Sequence, residues 1–199
     1  MSKELEAAKE LVKMLEEKEK QEKVLLSTLT EGDTFKVGEY DFIVLEQENG
    51  QTRVISKRFI AKNVVFDENT RDYNKSDLRN TIETEIQPMI ESYMGAENVI
   101  EHEVDLTSVD MQNEFRRCKC KVRPITFDEA RKYNGLLVNK DLPDWYWTCT
   151  PWSTEERGWS HSTAVVSPSG GINYGYRDNG GGVRPFCILK SNIFVSKGE

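Results

Sequence analysis

Apolar residues recur at helical spacing over the first 29 residues of the chain. Leu5, Ala8, Val12 and Leu15 follow one another at alternating three- and four-residue steps, and Leu11 and Met14 widen the stripe. Ala, Leu, Glu and Lys dominate this stretch, Gly and Pro are absent, and Ser2 is placed to cap it. The pattern predicts an amphipathic helix from Ser2 to about Leu29. Between Lys18 and Lys23 almost every residue is charged, and apolar residues return at Val24, Leu25, Leu26 and Leu29. The seam lapses after about two heptads, short of the roughly three to four that specify a coiled coil. Two roles stay open for residues 1–30. One is a short oligomerisation segment. The other is a helix that packs on its own domain or stands as a solvated spacer. The detached composition leans toward the first.

At Glu31-Gly32-Asp33 the period shifts from helical to alternating. Phe35 and Val37, then Phe42-Ile43-Val44-Leu45, then Thr52 to Ser56 read as strands. Turns at Gly38 to Asp41 and at Glu48-Asn49-Gly50-Gln51 join them, and Asn-Gly is a strong hairpin signal. Ser76 caps a helix predicted through about Tyr93. It carries Leu78, Ile82, Ile86, Met89 and Ile90 on one face, Asp77 at its positive end, and Pro88 as a kink or break. Val104 to Leu106 is short and extended. Thr126 and Glu129 are spaced as a capping box for a helix to Tyr133, which Gly135 then ends. Alternation returns at Trp145 to Thr150, Ala164 to Val166, Ile172 to Tyr176 and Val183 to Leu189. A turn at Ser167 to Gly171 and a stop at Gly180-Gly181-Gly182 punctuate these strands. The loop from Pro151 to Thr163 is long, and long loops tend to carry function. The expected class is α+β, with a leading helix at 1–30 and one domain at 31–199.

Composition sharpens this picture at the C-terminal end. All four Trp lie between Trp145 and Trp159, and seven of the 13 Gly lie between Gly158 and Gly182. The net charge of −7 excludes a globally basic binder of nucleic acid or anionic membrane. No run of about 18 apolar residues is present, so no membrane span is expected. The first ten residues alternate acid and base and lack an apolar signal core, which argues for the cytoplasm. Four thiols, Cys118, Cys120, Cys149 and Cys187, are then expected to stay reduced. Their spacing and the two His, His102 and His161, do not match a zinc site. Cys149 and Cys187 sit in apolar runs as small core residues. Cys118 and Cys120 alternate with cations in a strand.

Five separated motifs carry a family resemblance. Trp147-Thr148-Cys149-Thr150-Pro151 is followed by Ala164-Val165-Val166 with Gly170-Gly171, and then by Gly182-Val183-Arg184-Pro185. Gly38-x-x-x-Phe42-x-Val44-Leu45 and Tyr73-x-x-Ser76-Asp77-Leu78-Arg79 stand in the N-terminal half. Over residues 31 to 190 the chain resembles the DUF6273 family of domains of unknown function, common in bacteria, phages and prophages. That resemblance implies a C-type-lectin-like domain, as in formylglycine-generating enzymes and the variable ligand-binding proteins of phages. There, small twisted antiparallel sheets and two or three helices display long loops that bind the partner. It implies structural roles for Trp147 and Arg184, beside the core roles that their apolar runs give Cys149 and Cys187. Cys149 replaces the Arg that the family carries at that position, so no contact of that Arg transfers here.

The residues favour binding over catalysis. Ser160-His161-Ser162 lacks the nucleophile elbow that would make it a triad, and the glycine run lacks the Lys-Ser/Thr of a phosphate loop. His102 lies between Glu101 and Glu103, carboxylates that can raise its pKa. Trp145, Trp152, Trp159, Tyr174, Tyr176 and Arg177 are types enriched at interface hot spots. With His161 and Asn179 they form the expected recognition surface, on the 151–163 and 174–182 loops. The competing expectation is that these aromatics fill a small core under the loops. The expected function is a non-catalytic, phage- or prophage-borne binding protein acting in the host cytoplasm or on the virion. Its partner would be a host protein, including a defence component, or a small ligand, with no cofactor or metal. The alternative is an enzyme using Cys149 and Cys187 or a bound metal, as in formylglycine-generating enzymes. A weaker alternative is nucleic-acid binding through Arg116, Arg117, Lys119, Lys121 and Arg123.

Overall fold

A computed structural model describes residues 5, 6, 9–12 and 23–198. The described part is α+β, 22% helical and 37% strand. Two five-stranded sheets form its body. The first has the order β2 (Thr34–Val37), β3 (Tyr40–Glu48), β4 (Gln51–Ser56), β13 (Pro185–Lys190), β8 (Val122–Pro124). The second runs β11 (Ile172–Tyr176), β10 (Ser162–Val166), β9 (Tyr146–Pro151), β12 (Gly180–Val183), β5 (Ala61–Val65). All pairs are antiparallel except β12 with β9, which meet in parallel at Gly182 and Tyr146. Two small sheets complete the set, β1 (Lys23–Leu25) with β14 (Phe194–Ser196) and β6 (His102–Val104) with β7 (Cys118–Cys120).

The first sheet is covered on both faces. Phe42 and Val44 of β3 join one core with Trp147, Phe66 and Tyr73, while Ile43 and Leu45 join a second with Tyr146, Phe59 and Phe186. Neighbouring residues point to opposite faces of a strand, so two cores require an unbroken apolar run. Phe42-Ile43-Val44-Leu45 is that run, and β13 repeats it. The Asn-Gly hairpin forms as its sequence dictates, with Asn49 and Gly50 both at positive φ, 52° and 73°.

The leading helix ends earlier than its composition suggests. Lys23 to Leu25 form strand β1, paired residue for residue with β14. Leu26 to Thr28 make one 3-10 turn, and Leu26 and Leu29 are core residues. Pairing with β14 and burial of the leucines outweigh helix propensity, which is a weak prior. Residues 23–29 therefore belong to the folded body, ahead of the expected boundary at 31. Residues 5, 6 and 9–12 are helical, and Leu5, Leu11 and Val12 are exposed. Ser2, Ala8, Met14 and Leu15, on which the cap and part of the seam rest, lie outside the described residues.

Ser76 caps its helix as expected, its hydroxyl accepting the Arg79 N–H at 3.1 Å. That helix passes through Pro88. α1 (Asp77–Thr81) leads into a π turn (Ile82–Ile86) and then α2 (Gln87–Met94). The wider turn accommodates the ring and the missing N–H of Pro88. The Thr126 and Glu129 capping box forms at the start of α3 (Phe127–Lys132). Gly135 does not end the helical region: it lies inside a further short turn, α4 (Asn134–Leu137). No described helix is long and apolar enough to cross a membrane.

Candidate functional site

The second sheet ends at β11, and the aromatic residues gather there. Trp147 on β9 is the foundation. Its ring is buried, its Nε1 donates to the Val64 carbonyl at 2.7 Å, and Phe66 meets it edge-on at 5.6 Å. Glycines let backbone lie against this indole. A Cβ at Gly181 would stand 2.7 Å from Trp147 Nε1, and one at Gly175 would stand 2.9 Å from Val165 and 3.3 Å from the Trp147 ring. Gly175 and Gly181, two of the clustered glycines, are thus a packing requirement of one tryptophan.

Above this layer lies a chain of rings. Tyr174 is the hub: its centroid is 5.2 Å from Trp159, 5.7 Å from Trp152 and 5.8 Å from Tyr176. Trp152 and Trp159 are 6.3 Å apart. Both are half-buried, while Tyr174 and Tyr176 are exposed. The 151–163 loop is folded onto the sheet. The Trp152 N–H donates to the Ser162 carbonyl and the Trp159 N–H to the Thr154 carbonyl, both at 3.1 Å. Arg157 anchors the loop to Asp110 at 2.8 Å, and Ser153 also donates to that carboxylate. Burial works against ionisation of Asp110, but the hydrogen bonds from Ser108, Ser153 and Arg157 prevail and hold it at about 2.

On the other side of Tyr174 a cleft of about 360 Å³ opens, lined by Trp145, Trp147, Tyr174, Asp144, Asn173 and Asn179 among others. The Gly182 N–H donates to the Trp145 carbonyl at 2.9 Å, which fixes the Trp145 backbone against β12. Asn173 folds its amide oxygen onto the Tyr174 N–H at 2.8 Å. The structure therefore gathers Trp152, Trp159, Tyr174 and Tyr176 into one ring cluster and Trp145 and Asn179 into the cleft, with Tyr174 a member of both. Asp144 and Asn173 belong to the cleft too, and sequence reasoning missed them. Each precedes an aromatic residue, a signal too weak to select them.

His161 and Arg177 stand apart. His161 is exposed and lines a separate cleft of about 330 Å³ with Arg71, Glu114 and Glu155. Arg177 is a clamp rather than a free contact. Its guanidinium donates to the Ser160 carbonyl at 2.7 Å and to the Glu68 carbonyl at 3.1 and 3.3 Å. Those donors tie the loop, β11 and the 66–70 segment together.

Folding commits three of the five cations of the basic cluster to carboxylates. Arg123 is buried, gripping Glu129 through two bonds of 2.6 and 2.7 Å. Lys121 pairs with Glu91 and Arg117 with Glu103, each at 2.7 Å. Arg116, Arg117 and Lys119 remain exposed. His102 also departs from expectation. Burial, with Arg123 donating to its Nε2 at 3.0 Å, pulls its pKa down to about 4. Glu103 faces Arg117 instead, so it does not raise the imidazole.

Cys149 and Cys187 lie on β9 and β13, in different sheets. Both are fully buried, and burial pushes each thiol up to about 12. Protonated thiols are poor nucleophiles and poor metal ligands. The Cys118 thiol is lowered by its hydrogen bond with Cys120, and Arg79 Nη1 lies 3.1 Å from its sulfur; Cys120 is raised in turn. Among the described residues no three His, Cys, Asp or Glu side chains are grouped to hold a metal ion. Arg184 is a buried lock. It donates to the Ser56 carbonyl at 2.8 Å and to the Leu137 carbonyl and Tyr146 hydroxyl at 3.1 Å, with its guanidinium over the Tyr146 ring.

No family model matches the chain, and no match was found among curated proteins or solved structures.

Proposed function

We propose that this is a non-catalytic binding protein that recognises its partner through the β11 aromatic face. The observation that carries this reading is the run of four rings, Trp152, Trp159, Tyr174 and Tyr176, at a sheet margin beside an open cleft. Rigid aromatic side chains supply contact area at low entropic cost, which suits recognition. The raised thiols of Cys149 and Cys187 and the neutral His102 speak against chemistry by those groups. The motif resemblance adds a DUF6273-like domain with a C-type-lectin-like display of loops. It also suggests a phage or prophage setting, with a host protein, including an immune component, or a small ligand as partner.

The test is a pull-down from bacterial lysate with the intact chain and with a Trp152→Ala/Trp159→Ala double variant. The expected result is a retained partner that the double variant loses while its melting temperature stays close to that of the parent. A melting temperature that falls as far as for Trp147→Ala would make the rings core residues and overturn the reading.

A further inference from the structure

The cleft beside Tyr174 has a sharper chemistry than the ring cluster. Trp145, Trp147 and Tyr174 line it, the first and last exposed and Trp147 buried. Among its described lining residues the only formal charge is the Asp144 carboxylate, with no lysine or arginine. Asp144 is exposed, and the Trp145 N–H holds its Oδ1 at 2.7 Å, which fixes the carboxylate at the rim. Arg177, three residues beyond Tyr174, commits its guanidinium to the Ser160 and Glu68 carbonyls and leaves the cleft without a cation of its own. Asn173 and Asn179 add neutral amides.

Aromatic faces carry negative quadrupoles that attract cations, and Trp does so best among the ring types. A carboxylate beside them adds Coulomb attraction, and the chain's net charge of −7 disfavours anions. A cleft of about 360 Å³ is of the size that takes a small molecule or one long side chain. Resting on the reading of this face as a recognition surface, we propose that the cleft binds a cationic nitrogen. The group is a methylated ammonium, carried by a small molecule or by a protein side chain.

Choline and its neutral isostere, 3,3-dimethylbutan-1-ol, test this by titration of the full chain, followed by tryptophan fluorescence and calorimetry. The expected result is saturable choline binding, with the isostere weaker on the order of tenfold. Asp144→Asn and Trp145→Ala should each weaken choline by a similar factor, without a change in melting temperature. Lys119→Ala, at an exposed position outside the cleft, should leave it unchanged. A trimethyllysine peptide that binds more tightly than choline assigns the group to a protein chain; equal binding assigns it to a small molecule. Equal binding of choline and isostere, or no saturation by choline, overturns the cationic ligand. Retention of a lysate partner that depends on Trp152 and Trp159 would then still support the recognition face. Loss of both would overturn that face as well.

Discussion

Arg123 and Arg184 are both buried, yet they meet the cost of burial differently. Arg123 has a carboxylate partner, Glu129, which counters the desolvation of its charge. Arg184 has no carboxylate among its hydrogen-bond partners; it relies on carbonyls and a phenol, and burial lowers its pKa. Three acceptors set in fixed directions suit a guanidinium and not an ammonium. Arg184→Lys should therefore cost about 2–4 kcal/mol in denaturant unfolding, by leaving buried acceptors unmet. A loss within experimental error would show the guanidinium geometry to be dispensable. Gly181→Ala should cost about 1–3 kcal/mol, because its Cβ would strike the Trp147 indole at 2.7 Å.

His102 gives a pH window. Its folded pKa is about 4, below the ordinary 6.5, so the unfolded chain takes up the proton first as pH falls. Its contribution to stability is whole above about 6.5 and is lost progressively down to about 4. Urea midpoints measured across that window should fall for the parent and fall less for His102→Gln. Arg184 was legible as a structural residue from its motif. Arg123 was not. Lys119 and Lys121 alternate with buried cysteines as an exposed face would, and Arg123 continues their parity. Only the sheet's second cover, with Glu129 waiting in it, turns that position inward.

Elements were most legible where local chemistry and packing agree. Ser76, the Thr126 and Glu129 box, and Asn49-Gly50 each set a boundary through their own hydrogen bonds or backbone angles. The helix expected through Leu29 stops short because its last segment is decided by a partner 171 residues away, β14 (Val24 opposite Val195). No local signal reports such a pairing. A chain starting at residue 23 should keep the parent melting temperature. A chain starting at residue 31 loses β1 together with the buried Leu26 and Leu29, side chains worth about 1.5–3 kcal/mol each. It should melt well below the parent, and equal melting of the two truncations would place the boundary back at residue 31.

The whole molecule places two cores either side of one sheet and leaves the second sheet's margin to the aromatic rings. That layout could be read in part from sequence, since unbroken apolar runs call for two covered faces. The site was legible as a cluster of residue types on the right loops, but its division was not. Trp145 and Asn179 belong to the cleft, Trp152 and Trp159 to the ring chain, and Arg177 to the scaffold. Which side of Tyr174 a residue falls on depends on how the 151–163 loop folds back. Near the start of the chain, Leu5, Leu11 and Val12 are exposed on helical residues, which fits the self-association role for residues 1–30. Sedimentation should find an oligomer that Leu11→Asp dissociates and that is absent from the chain starting at residue 23. A monomer at all concentrations would leave the segment as a spacer. Linked copies would raise avidity without any new contact at the aromatic face.

β11 closes its sheet with an open edge, and its central N–H, that of Tyr174, is already met by the Asn173 amide oxygen. A visiting strand would have to dislodge that oxygen before it could add to the sheet. Exposed rings at a free strand edge are ordinarily an invitation to aggregate. Here the main chain is shuttered at the same place where the side chains are displayed. The face can be adhesive to a partner's surface while staying a poor template for another copy's backbone.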